Sequence, residues 1–125
     1  MTVTKITLSR VYSPPERKEG IWLLVDRLWP RGIKKDSIPF DMWLKDIAPS
    51  PALRKWFHQD RDNWPEFAMR YAQELKEKPE LIEHVLTLAK TSPITLFYAA
   101  KDLQHNHALV LQNVLKSWPK TPEIE

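Results

Sequence analysis

Two uninterrupted apolar runs constrain this chain more than anything else in it: residues 21–25 (IWLLV) and residues 94–100 (ITLFYAA). A strand with one face in water alternates apolar and polar residues, so short runs without alternation belong to strands buried on both faces. Long stretches of helical periodicity separate the two runs. Buried strands divided by helices define an α/β layer structure with a parallel pair.

The remaining segments extend that frame. In residues 4–12, Ile6 and Leu8 alternate with Lys5, Thr7 and Ser9, the pattern of a half-exposed strand. The connection that follows, residues 13–20 (SPPERKEG), is short for a crossover containing a helix, so loop length favours a hairpin, with a parallel return over an abbreviated loop as the alternative. Phe40, Trp43, Leu44 and Ile47 recur at i, i+3, i+4 and i+7, which predicts a short amphipathic helix stopped by Ala48-Pro49. Ser50-Pro51 opens a second helix with a cap and a first-turn proline. Asn63 and Glu66 have capping-box spacing, and Trp64, Phe67, Ala68, Tyr71, Ala72 and Leu75 then mark one helix face that ends near Lys78-Pro79. Pro79 starts a further helix with Ile82, Val85, Leu86 and Ala89 inward. His107, Leu111, Val114, Leu115 and Trp118 predict a last one, ended by Pro119. The expectation is a single α/β domain over residues 1–125, with a small, mostly parallel sheet of about three strands flanked by about five helices.

Charge and composition exclude several classes of function. Nineteen Lys and Arg against sixteen Asp and Glu leave a net charge of +3, spread along the chain except for residues 31–35 (RGIKK). That is a solvated positive surface rather than the concentrated patch of a nucleic-acid binder. With no cysteine there is no disulfide, thiolate nucleophile or Cys-ligated zinc. Two glycines cannot build a phosphate-binding glycine loop, and no serine sits in a nucleophile elbow. No apolar run approaches a membrane span and no signal-type segment follows Lys5, which places the protein in the cytoplasm.

In parallel sheets, ligands sit beyond the carboxyl ends of the strands. Residues 26–32 and 101–107, which follow the two buried runs, are therefore expected side by side. In the first, Arg27 and Arg31 are suited to clamp a phosphate or carboxylate, with Asp26 to orient or accept a proton and Gly32 to let backbone amides approach. A structural ion pair between Asp26 and one of these arginines is the competing reading. In the second, KDLQHNHA, Asp102 or Asn106 can cap the last helix, Lys101 adds charge, and His105 and His107 can do acid-base work. His107 also shares the inward stripe of that helix, so a core histidine is the alternative. Asp102, His105 and His107 offer oxygen and nitrogen ligands, but residues two apart on a helix point about 200° apart, so both imidazoles reach one ion only if His105 precedes the helix. No metal is expected, and no cofactor is indicated. Trp56, Phe57, His58 and Asp60 form either a lid over the crevice or a core pair followed by surface residues.

Four ordered stretches, VDRLWPRG (25–32), DMWLKDIAPS (41–50), LRKWFHQD (53–60) and TLFYAAKDLQHNHA (95–108), resemble the YeaO-like family of small bacterial proteins, a domain of unknown function. The resemblance covers nearly the whole chain. It implies an α/β sandwich in which longer relatives place a helix between the first two strands, and this favours a parallel first strand over the hairpin. The family's motif positions fall here on Asp26, Arg27, Trp29, Pro30, Arg31, Gly32, Trp56, Phe57, His58, Asp60, Tyr98, Lys101, Asp102, His105, Asn106 and His107. Longer relatives carry a cysteine near the last motif, and this chain has none there.

The combined expectation is a polar crevice that binds an anionic small molecule, such as a nucleotide or phosphorylated metabolite. Asp26, Asp102, His105 and His107 are the candidates for chemistry; Arg27, Trp29, Arg31, His58, Tyr98, Lys101 and Asn106 are the candidates for binding. A nucleic-acid-binding module using Arg31, Lys34 and Lys35, or a regulatory interaction module without catalysis, is the alternative.

Overall fold

The computed structural model describes residues 5–59 and 62–118. In chain order the elements are β1 (Ile6–Arg10), β2 (Ile21–Leu24), β3 (Met42–Trp43), a 3-10 turn (Lys45–Ile47), α1 (Pro51–Gln59), α2 (Trp64–Lys76), α3 (Pro79–Ala89), β4 (Ile94–Tyr98) and α4 (His107–Ser117). The four strands form one parallel sheet in the order β1-β4-β2-β3. β4 pairs on both edges, from Ile6↔Ile94 to Arg10↔Tyr98 on one side and from Ile21↔Ile94 to Leu24↔Phe97 on the other. Every residue of β4 is buried, as its unbroken apolar run requires.

No hairpin joins β1 to β2; the two lie on opposite sides of β4 and run parallel. A helix is not needed to make that crossing. Ten extended residues reach roughly 33 Å, whereas a five-residue return and two strand spacings need about 27 Å. The connection ends at Gly20, whose φ of +69° brings it against the Pro93 carbonyl, where a Cβ would lie 2.1 Å from the oxygen. Ile21 then donates its N–H to that same carbonyl at 2.9 Å, starting β2 beside β4.

The helix expected over residues 40–47 is instead β3 followed by the 3-10 turn. Trp22 N–H bonds the Asp41 carboxylate at 2.8 Å, Asp41 N–H bonds Trp22 O at 2.8 Å, and Leu44 N–H bonds Leu24 O at 2.8 Å. The open edge of β2 satisfies this backbone, and the helical spacing of the apolar residues is divided between two cores. Ile47 joins the core beneath the helices, while Phe40 and Trp43 pack on the other side of the sheet.

The two faces of the sheet are covered differently. Leu23, Val25, Ile94, Leu96 and Tyr98 meet buried residues of all four α-helices. Trp22, Leu24 and Phe97 point the other way, where Trp29, Ile33, Ile38, Phe40 and Trp43 of the loop around β3 close over them. Trp22 and Phe97 rings lie 4.7 Å apart, Phe40 and Phe97 5.2 Å, and Trp29 and Trp43 5.5 Å. Large aromatic rings allow a loop to bury a sheet face that normally takes a helix.

Candidate functional site

Just past the sheet, the ends of β2 and β4 are tied together. Val25 N–H bonds Phe97 O at 3.0 Å, and Ala99 N–H bonds Asp26 Oδ2 at 3.0 Å. The start of α4 joins them: His107 Nε2 lies 2.9 Å from Val25 O and 3.1 Å from Asp26 Oδ1. Of the residues 26–32 expected beside 101–107, Asp26, Arg27 and Leu28 share a cavity with Lys101, Asp102 and residues 105–107, and residues 29–32 do not line it.

The geometry fixes the tautomer of His107. Both neighbours of Nε2 are acceptors, so Nε2 carries a hydrogen. A single N–H cannot point along both contacts, and it serves Val25 O; Asp26 Oδ1 is buried with no hydrogen bond. The Asp26 contact is consequently electrostatic. The edge of His107 faces the Tyr71 ring at a centroid distance of 6.0 Å. Tyr71 is fully buried and donates to Ile47 O at 2.7 Å. Burial, with Glu74 and Asp26 nearby, pushes its hydroxyl pKa well above the usual tyrosine value.

Asp26 and His107 line a cavity of about 1110 Å³. Phe57, Trp64 and Phe67 make one wall; Phe57 stacks on Phe67 at 4.4 Å. Arg27, Arg54, His58, Lys101, Asp102 and His105 contribute polar groups. The cavity combines an apolar wall with several polar side chains.

Several of these groups are engaged in holding the backbone. The Arg27 guanidinium donates to the carbonyls of Pro49 and Ala48, each at 3.3 Å. Asp102 accepts from the N–H groups of Gln104 at 2.9 Å and His105 at 3.0 Å, and from the His105 ring at 3.1 Å. Those bonds, that of Gln104 foremost, lower the Asp102 pKa. Asn106 is the α4 cap: its side chain accepts from Leu109 N–H at 3.1 Å and donates to Asp102 O at 2.9 Å. His105 also meets Trp64 edge-on at 5.2 Å.

Three expected site residues lie elsewhere. Arg31 is exposed and does not line the crevice; its carbonyl accepts from the Tyr12 hydroxyl at 2.8 Å. The two-arginine clamp is therefore not assembled. Trp29 belongs to the aromatic core on the opposite face, with its indole donating to Ile33 O at 2.6 Å. Tyr98 is buried beneath the helices, and burial raises its hydroxyl pKa. Gly32 has a φ of +82° with open space around it, so it serves the turn of its own backbone rather than a close approach. His58 lines the crevice from α1, whereas Asp60 lies outside the described residues. Among the described residues no group of three or more His, Asp or Glu side chains is arranged to hold a metal.

Arg54 and Trp64 are crevice residues that the sequence reading did not assign to the site. Arg54, Phe57 and His58 have i, i+3, i+4 spacing, which places them on one face of a helix, so that signal was present.

Fold and site together define a small parallel α/β domain with a polar cleft at its strand ends. From residue 5 to residue 123 the chain matches the family described as the inactive DUF488-N3 subclade, and it belongs to that family. It is 45% identical over 112 residues to the uncharacterised protein YeaO of Escherichia coli (strain K12), covering 90% of this chain and 97% of that protein. It is 38% identical over 112 residues to the uncharacterised protein Rv3073c of Mycobacterium tuberculosis (strain ATCC 25618 / H37Rv), covering 90% and 94%. No solved structure matches the chain.

Proposed function

We propose that this protein binds a small anionic molecule, a nucleotide or another phosphorylated metabolite, in the crevice beyond β2 and β4, and that it does so without turning the ligand over. One observation carries the reading: Arg54 and Lys101 share a metabolite-sized cleft with the aromatic wall of Phe57 and Trp64. Cations with a flat apolar wall complement an anionic group joined to a ring.

Binding is favoured over catalysis because the groups best placed for chemistry have structural work. Asp102 organises its own turn, Asn106 caps α4, Arg27 fastens residues 48–49, and Asp26 joins the two strand ends. The description of the family as an inactive subclade supports the same reading. The reading sets the protein in the cytoplasm, where phosphorylated metabolites are met, and the cysteine-free chain fits that setting.

The test is a thermal-shift panel of nucleotides and sugar phosphates against the native chain and the Arg54→Ala, Lys101→Ala double variant. Phosphorylated compounds should raise Tm in the native chain and not in the variant, since a ligand that binds only the folded state stabilises it. No shift with any compound, or an equal shift in both proteins, would remove the proposal. The nucleic-acid alternative rests on Arg31, Lys34 and Lys35, all exposed and none of them in the crevice.

A further inference from the structure

Three carboxylates among the described residues line the crevice, and one of them differs from the other two. Asp26 accepts from Ala99 N–H and lies against His107; Asp102 accepts from the N–H groups of Gln104 and His105. Asp62 is exposed and makes no hydrogen bond or ion pair among the described residues. The same holds for the side chains of Arg54 and Lys101, whereas Arg27 is turned to the carbonyls of residues 48–49. The permanently charged side chains of the crevice that have no partner there are thus two cations and one carboxylate.

The chain sets the aromatic wall between Arg54 and that carboxylate. Arg54 lies in the first turn of α1, which runs on through Phe57 to Gln59, a rise of about 7.5 Å from Arg54 to its last residue. Phe57 meets the Trp64 ring at a centroid distance of 5.9 Å, and Asp62 stands two residues before Trp64, ahead of α2. Arg54, Phe57, Trp64 and Asp62 therefore form a connected series of cation, two rings and carboxylate. A nucleotide carries the complementary series: a phosphate, a flat ring and, at the far edge of the ring, polar groups.

An ionised carboxylate can only accept hydrogen bonds, and its two oxygens suit two donors held side by side. Among the bases, guanine has such an edge, with its ring N–H next to the exocyclic amino group. Hypoxanthine keeps the ring N–H and lacks the amino group. Adenine sets a bare ring nitrogen beside its amino group, and uracil flanks its single N–H with carbonyl oxygens. We propose that Asp62 is the specificity-determining residue of the crevice and selects guanine nucleotides, its carboxylate accepting from the two adjacent donors while Arg54 and Lys101 hold the phosphate. This rests on the anion-binding reading and specifies its ligand. Because Asp62 is exposed, water replaces a lost partner, so the discrimination is about tenfold and falls short of the factors reached by buried polar sites.

Guanosine and inosine monophosphate are matched probes, since they differ by the amino group alone. Near neutral pH both bases retain the ring N–H and both phosphates carry the same charge. Isothermal titration of the whole native chain should show guanosine monophosphate binding about tenfold more tightly, the worth of one added hydrogen bond to a charged group. In Asp62→Asn, which keeps the shape of an exposed side chain, the two affinities should converge through weaker binding of guanosine monophosphate. A carboxylate that merely repels phosphate predicts the opposite: removing its charge tightens both ligands alike. That result, equal affinities in the native chain, or binding of sugar phosphates without binding of either nucleotide overturns this inference alone. Failure of every phosphorylated compound to bind overturns the anion-binding reading and this inference with it.

Discussion

The two faces of the sheet show what is gained by covering one with helices and the other with a loop. On the helical side, aliphatic residues of β2 and β4 meet four α-helices, and the crevice opens beyond the strand ends. On the other side, aromatic rings from residues 29–43 fill the space against Trp22 and Phe97. A single loop serves both. Asp26, Arg27 and Leu28 line the crevice, whereas Trp29, Pro30 and Ile33 turn into or toward the aromatic side. Trp43 locks the division by donating its indole N–H to Asp26 O at 2.7 Å. The aromatic face thus acts as a foundation that holds Asp26 in place from behind, and the helical face supplies further crevice-lining groups.

That division can be broken from either side. The largest effect is expected for Phe97→Ala, which removes the ring that Trp22 and Phe40 share. It should cost about 3–5 kcal/mol in denaturant unfolding, and a smaller loss would mean that the loop closes over the gap. Next is Tyr71→Phe on the helical face, which leaves buried Ile47 O without its donor. About 1–3 kcal/mol should be lost, and with the ring retained beside His107 the phosphate affinity should change little. Asn106→Ala removes the α4 cap and the bond to Asp102 O. About 1 kcal/mol should be lost, together with protection of the Leu109 amide in hydrogen exchange.

The smallest effect belongs to Asp102, which is exposed. Its hydrogen bonds, led by that from Gln104 N–H, hold its folded pKa below the ordinary aspartate value. The stability it contributes is therefore present above the unfolded pKa of about 3.9 and is lost as pH falls through the lower folded value. The native chain should lose stability across this acidic window more steeply than Asp102→Asn, and identical acid-unfolding curves would show that the turn needs no charge.

Much of this arrangement can be read in the chain. β2, β4 and all four α-helices follow from apolar runs and helical periodicity with proline and serine punctuation. Ser50 caps α1 as its position before Pro51 predicts, accepting from Leu53 N–H at 3.1 Å. The strand-end rule puts residues 26–32 beside residues 101–107, and it holds for residues 26–28 only. The rest is hidden for identifiable reasons. Residues 40–47 carry a true helical spacing, but the vacant edge of β2 offers hydrogen bonds that local periodicity does not record. Arg31 follows Arg27 by four positions and is chemically equivalent to it, yet the turn at Pro30 sends it to the other side.

What the sequence determines by itself is the set of buried strands, the helices and the two segments that carry polar groups, because each is written in local pattern and side-chain chemistry. Tertiary structure alone decides that β1 and β2 flank β4, that an aromatic loop replaces a helical layer, and that His107 faces Asp26. Those outcomes depend on backbone hydrogen bonds and packing between residues far apart in the chain, separated by 82 positions in the His107 contact with Val25 O and by 106 in the Gln112 bond to Ile6 O. No local period encodes a partner at that distance. The crevice begins as a property of two strand ends and is completed only when α4 brings an imidazole across them.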